Sequence, residues 1–212
     1  MRTDDLIDAL AQDAGPSHSP RRRLALVGGL GALAALTLVL CWLHMRHDLM
    51  DAMHGGMFWM KALYTGLLGA AGYLAIERLS RPGGSGRRGW TLGLVVLAVF
   101  VVAGVWQAIV SPDIQAALHM LRGHSWHSCS RNIMVLGLPM LALGLVVVRG
   151  LAPTRPTLAG FATGLFSGGV AATVYGLHCP EHTFTFVALW YSLGVLLLAS
   201  LGALIGRWAL RW

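Results

Sequence analysis

Two short polar breaks between long apolar runs carry the residues able to do chemistry. The first is Leu177-His178-Cys179-Pro180-Glu181-His182-Thr183-Phe184, which sets a thiol, two imidazoles and a carboxylate within five consecutive residues. The second, Gly123-His124-Ser125-Trp126-His127-Ser128-Cys129-Ser130, offers a thiol and two imidazoles from earlier in the chain. Three readings of Cys129 and Cys179 stand together. They can form a plain structural disulfide, which an oxidising compartment favours. They can form a redox-sensitive thiol pair. They can share a metal with His124, His127, His178 and His182, because thiolate and imidazole are the usual ligands of zinc and of soft copper. No strict CxxC or HExxH spacing selects among them.

A third stretch adds His44, His47, Asp51 and His54 at i, i+3, i+7 and i+10, which on a helix would share one face. Met45, Met50, Met53, Met57 and Met60 crowd the same region. Thioether with imidazole is a copper-like set. The plainer reading is a helix lying on a membrane surface with Met as apolar filler. Catalysis finds little support. No Gly-rich phosphate loop follows a strand, and no Ser/His/Asp spacing stands out. Glu181 beside Cys179 and His182 imitates a nucleophile with its base, but reads better as a loop hydrogen bond or a ligand. A quinone-linked thiol oxidase needs two working cysteine pairs, and the chain has 3 cysteines.

The elements that must position these groups are legible from composition. The 212 residues are 56% hydrophobic and only 12% charged, against about 25% charged in soluble domains. A helix crossing a bilayer needs about 20 apolar residues. Six stretches meet or approach that length, at residues 24–43, 57–76, 90–110, 133–148, 158–177 and 184–205. They leave no soluble core. The expected architecture is all-α: an integral membrane bundle of six transmembrane helices (24–212) behind a short cytoplasmic amphipathic tail and linker (1–23). In the tail, Thr3 caps a helix, Asp4 and Asp5 occupy its first turn, and Leu6, Ile7 and Leu10 share a face. The first apolar run follows Arg21-Arg22-Arg23 and lacks a small-residue cleavage site after it, so it reads as a retained span.

Basic residues set the orientation. With the N-terminus in the cytoplasm, twelve of the 16 Lys and Arg fall in inner segments. The same assignment places eight of the nine His outside, His18 being the exception, together with Cys129 and Cys179. Histidine played no part in setting the topology, so its sorting is independent support. The net charge of +7 is spread between apolar runs, which argues against a nucleic-acid surface. The fifth span repeats small residues every four positions, at Gly160, Gly164, Gly168, Ala172 and Gly176. Such a face lets a neighbouring helix approach closely, within the monomer or in a homo-oligomer.

The chain resembles the NrsF family of membrane anti-sigma factors, negative regulators of sigma F. The matching pieces are Met1-Arg2-Thr3-Asp4-Asp5-Leu6-Ile7, the six spans, Trp126-His127-Ser128-Cys129 with Asn132-Ile133, and Cys179-Pro180-Glu181 with Phe184, Phe186, Trp190, Tyr191 and Gly194. The resemblance covers essentially the whole chain. Thr3-Asp4-Asp5-Leu6-Ile7 and Cys179-Pro180-Glu181 are its most specific parts. It implies a protein of the bacterial inner membrane that holds an extracytoplasmic-function sigma factor inactive. It also implies that two periplasmic cysteines, here Cys129 and Cys179, take part in the response to heavy metals or related stress. Thr3, Asp4, Asp5, Leu6, Ile7 and Leu10 are then the sigma-facing residues. The rival reading is a small metal-handling or metal-transporting membrane protein. It would need polar residues lining a path through the spans, and the span interiors offer few.

Overall fold

The structure is a computed structural model that describes residues 19–81 and 83–211. The expected tail helix, with Thr3, Asp4, Asp5, Leu6, Ile7 and Leu10, lies outside the described residues. Everything described is helix, turn or loop, with no strand. Helix α1 is Pro20–Leu43, α2 Leu49–His54, α3 Gly56–Leu79, α4 Arg87–Ile109, α5 Ile114–Arg122, α6 Trp126–Arg149, α7 Pro156–Tyr175 and α8 Phe184–Ala209. The last five residues of α1 (Val39–Leu43) and residues Val187–Tyr191 of α8 are wound as π-helix, a form that recurs at functional sites.

The long helices run up and down. Pro20, Leu79, Arg87, Arg149, Pro156 and Ala209 mark one end, and Leu43, Gly56, Ile109, Trp126, Tyr175 and Phe184 the other. The first is called here the arginine end and the second the thiol end. Helix α1 starts where its sequence says it should. Ser19 accepts a hydrogen bond from the Arg22 amide, and Pro20 sits at the first helical position, where its missing N–H costs nothing. Leu24, Val27, Gly31 and Ala35 form a buried stripe at three- and four-residue spacing. Leu26, Leu30, Leu33 and Leu40 point outward. Similar exposed rows on α4, among them Leu94, Val99, Val102, Val105 and Trp106, are larger than a water-facing surface tolerates.

Five helical segments are long and apolar enough to cross a membrane: Pro20–Leu43, Arg87–Ile109, Ile114–Arg149, Pro156–Tyr175 and Phe184–Ala209. The remaining long helix, α3, has 24 residues but is less apolar. Its position explains why. Tyr64 bonds Ser192 Oγ at 2.6 Å, Thr65 bonds Thr173 Oγ1 at 2.8 Å, and Lys61 and Glu77 are both buried. An interior helix can carry polar groups that partners satisfy.

Helix α7 is the centre of the bundle, and the glycine repeat explains how. A Cβ at Gly160 or Gly164 would strike the backbone of Gly202 or of Leu198 on α8. On its other side, Gly169 lies backbone to backbone against Gly69 of α3, and Gly72 against Phe166. Gly160, Gly164 and Gly168 are buried against α8 of the same chain. Of the two alternatives for this face, packing within the chain is the one these glycines make.

Three other local expectations change. The fourth span starts at Trp126, so Cys129 stands in the first turn of a 24-residue helix and not in a loop. Residues 114–122, which lie between two of the expected spans, form α5, capped by Asp113 Oδ1 on the Ala116 amide at 2.6 Å. The histidine-bearing helix after the first span shrinks to α2, because His44 adopts a left-handed φ of 61° that ends the preceding helix.

Candidate functional site

Cys129 and Cys179 are both free, both fully buried, and members of one apolar cluster. The two thiols perturb one another electrostatically, and the Ser125 hydroxyl lies 3.8 Å from Cys179 Sγ. Different elements deliver them. Cys129 rides on the first turn of α6, whose start is set by Ser125. Cys179 directly follows the turn at residues 176–178 that prolongs α7, its amide bonded to the Tyr175 carbonyl. Pro180 follows, and Thr183 caps the start of α8 by accepting from the Phe186 amide.

Glu181 joins the two breaks. Its carboxylate Oε1 accepts from the His124 amide at 2.6 Å, the Ser125 amide at 3.1 Å and the Ser125 hydroxyl at 3.3 Å. These are the open amides at the start of α6, so Glu181 caps that helix from another element. Gly123 permits the approach. Its φ is +53°, and a Cβ there would come within 2.6 Å of Glu181 Oε2. The loop hydrogen bond expected of Glu181 is thus what the carboxylate makes.

Lys61 holds the same loop from α3. Its ammonium donates to the carbonyls of Cys179 at 3.1 Å and Glu181 at 2.6 Å. From the segment after α1, the Arg46 amide donates to the Leu177 carbonyl and its guanidinium to the Cys179 carbonyl. The His178 ring Nδ1–H donates to the His44 carbonyl at 2.8 Å. Arg46 is held in turn by Asp48, whose carboxyl it keeps down at about 2. From α5, the carbonyls of Met120 and Leu121 accept from the Thr183 hydroxyl and the Trp190 indole N–H. Residues 177–183 are therefore the point where the segments of the thiol end meet. A cavity of about 150 Å³ opens beside them, lined by Arg46, Met57, Phe58, Lys61, Pro180, Glu181 and His182 among others.

The surroundings of the thiols are polar but sparsely paired. The Tyr175 hydroxyl reaches Cys129 and Asn132. Tyr191 OH and Asn132 Oδ1 have no aligned hydrogen-bond partner among the described residues. Unpaired buried groups cost about 1–3 kcal/mol each, a burden that functional sites carry more often than cores do. Cys179 is drawn down to about 6 by the neighbouring Cys129 thiol, against burial, with help from the Lys61 charge. A thiolate is the form that attacks oxidants and binds soft metals.

The histidines do not join this centre. His44, His47, His54, His124, His127 and His182 are exposed, and His178 is half-buried with its ring committed to a carbonyl. His124 lies 3.9 Å from Glu181, but its side chain is 90% exposed. Among the described residues no three His, Cys, Asp or Glu side chains are grouped to hold a metal ion. A tetrahedral zinc needs four ligands, and this arrangement does not bring the histidines to the sulfurs: most of the rings are exposed while both sulfurs are buried. What remains is a two-sulfur donor set, which suits a thiophilic ion or a disulfide. Cys41 is exposed on α1. Lys61 and Arg46 were not read as site residues from sequence. Lys61 had a usable signal, since a lone cation in an apolar run marks function by default.

The family model described as negative regulator of sigma F (NrsF) matches residues 10–212. The chain is 71% identical over 214 residues to a protein of Caulobacter vibrioides named anti-sigma-F factor NrsF, covering all of both chains. It is 42% identical over 217 residues, again covering all of both, to a probable anti-sigma-F factor NrsF of Azospira oryzae. No solved structure matches. The chain belongs to the NrsF family of negative regulators of sigma F, a regulatory and non-enzymatic class of protein.

Proposed function

We propose that the chain is an inner-membrane anti-sigma factor whose six long helices, α1, α3, α4, α6, α7 and α8, cross the bilayer with both termini in the cytoplasm. The arginine end faces the cytoplasm and the thiol end the periplasm. The tail, through Thr3, Asp4, Asp5, Leu6, Ile7 and Leu10, holds an extracytoplasmic-function sigma factor. A periplasmic oxidant or thiophilic metal acts on Cys129 and Cys179 and releases it.

One observation carries this reading: two free, buried thiols from different elements belong to one cluster and perturb one another. Oxidation would form one S–S bond between the Cys179 thiolate and the Cys129 thiol, with two electrons passing to the oxidant and the Cys129 proton released. A divalent thiophilic ion would bind the Cys179 thiolate and displace the Cys129 proton. Either event joins the start of α6 to the α7–α8 loop by a bond the resting state lacks. Moving a two-state element from 1:99 to 99:1 takes about 5.5 kcal/mol of differential binding, well within what sulfur–metal bonds supply.

The test is a Cys129→Ser/Cys179→Ser chain carried in cells with a sigma-dependent reporter. The expected result is normal membrane insertion and co-purification of sigma, with no induction by cadmium or diamide. Unaltered induction would reject the sensor role. Loss of sigma co-purification on deleting residues 1–15 tests the tail.

A further inference from the structure

Helix α3 carries a polar grip at each end, and neither is needed to bury an apolar face. At the thiol end Lys61, 3% exposed, spends its ammonium on the carbonyls of Cys179 and Glu181. At the arginine end Glu77, 4% exposed, accepts from Arg21 Nε at 2.8 Å and Arg81 Nη2 at 3.3 Å. Arg21 stands in the first turn of α1, immediately after the segment that leads from the tail. Sixteen residues separate the two grips, about 24 Å along a helix.

The contact between α3 and the central helix favours movement as a unit. Gly69 meets Gly169, and Gly72 meets the backbone of Phe166, so the crossing is made backbone to backbone, with the Tyr73 ring edge-on to Phe166 beside it. Packed helices of this kind switch by shifts of about 1–2 Å. The Tyr64–Ser192 and Thr65–Thr173 bonds lie close to the thiol end, and the described hydrogen bonds include none from a side chain in the other two thirds of α3 to α7 or α8.

We propose that α3 is the transmitting element, with Lys61 the positioning residue that reads the Cys179–Glu181 loop and Glu77 the one that passes its displacement to Arg21 and the tail. This rests on the two-cysteine reading above, and it names the route between the thiols and the cytoplasmic end.

The experiment uses the full-length chain with an N-terminal epitope tag, in nanodiscs. Trypsin cleavage at Arg21, Arg22 and Arg23 is timed before and after diamide, which takes two electrons and two protons as it joins the thiols. In the wild type, diamide changes the cleavage rate by about fivefold or more, the lower end of ordinary allosteric coupling. Lys61→Met and Glu77→Gln abolish that change, while mass spectrometry still finds Cys129 and Cys179 joined. Glu77→Asp, which keeps the charge, restores part of it. The double variant is no worse than either single one, since both interrupt one route.

A wild-type rate untouched by diamide, or a full change in Glu77→Gln, overturns the proposal. Failure of Lys61→Met to form the disulfide also overturns it, because Lys61 would then act on the thiols alone. The readout contains no sigma factor. If sigma fails to co-purify while the cleavage change persists, the partner assignment falls and the route stands.

Discussion

The two ends of the bundle handle charge in opposite ways. At the arginine end the guanidinium groups of Arg22, Arg87, Arg88, Arg149, Arg207 and Arg211 are exposed, and the described ion pairs involve only Glu77. At the thiol end Lys61 and Glu181 are buried, and their polar atoms bind main chain from other elements. Exposed charge orients a helix in a bilayer but adds little stability, because water and salt screen it. Buried charge that satisfies main-chain groups across a loop fixes one geometry and fails when a partner is removed. The lesson is that the thiol end is built to hold a shape, whereas the arginine end leaves most of its charge exposed and buries one carboxylate, Glu77.

Five measurements can break or sharpen that contrast. Glu181→Ala strips two part-buried amides and the Ser125 hydroxyl of their acceptor and should cost about 3 kcal/mol, read as a lower melting temperature in detergent. Gly123→Ala, with its positive φ and a carboxylate oxygen in the way, should cost about 2 kcal/mol by the same melt. If either is silent, the thiol end is not the rigid one.

The third is a pH dependence. Cys179 is drawn below its ordinary value of 9.0 to about 6. The unfolded chain then holds a proton that the folded chain has lost between those two values. Its contribution to stability is complete above about pH 9, shrinks as pH falls, and is gone below about pH 6. Melting temperatures across this range should rise with pH, and Cys179→Ser should remove that part of the slope. Asp113→Ala removes the cap of α5 and should cost about 1 kcal/mol, seen as faster hydrogen exchange in residues 114–122. Smallest of all, Arg21→Gln should leave the melting temperature where it was. A clear drop there would mean that the arginine end also stabilises the fold.

Much of this was open to a reader of the chain. Apolar runs of helical length, the arginine distribution and the glycine repeat marked the long helices, because bilayer thickness and close packing constrain length and residue size directly. Helix α5 was readable too and was passed over: Asp113 precedes Ile114, Ala117, Leu118 and Leu121, a cap followed by an apolar face. The π-wound ends of α1 and α8 and the left-handed His44 have no such local mark.

What the sequence determined by itself is the class of fold and the two stretches where sulfur would matter, since hydropathy and residue type are properties of single positions and short windows. Which partners those stretches would choose was decided only by the tertiary structure. Histidine beside cysteine looks like a ligand set in one dimension. In three, the chain turned the imidazoles to solvent and brought in Lys61 of α3 and Glu181 of the α7–α8 loop, because a buried ammonium or carboxylate must find main-chain partners and those lie on other elements.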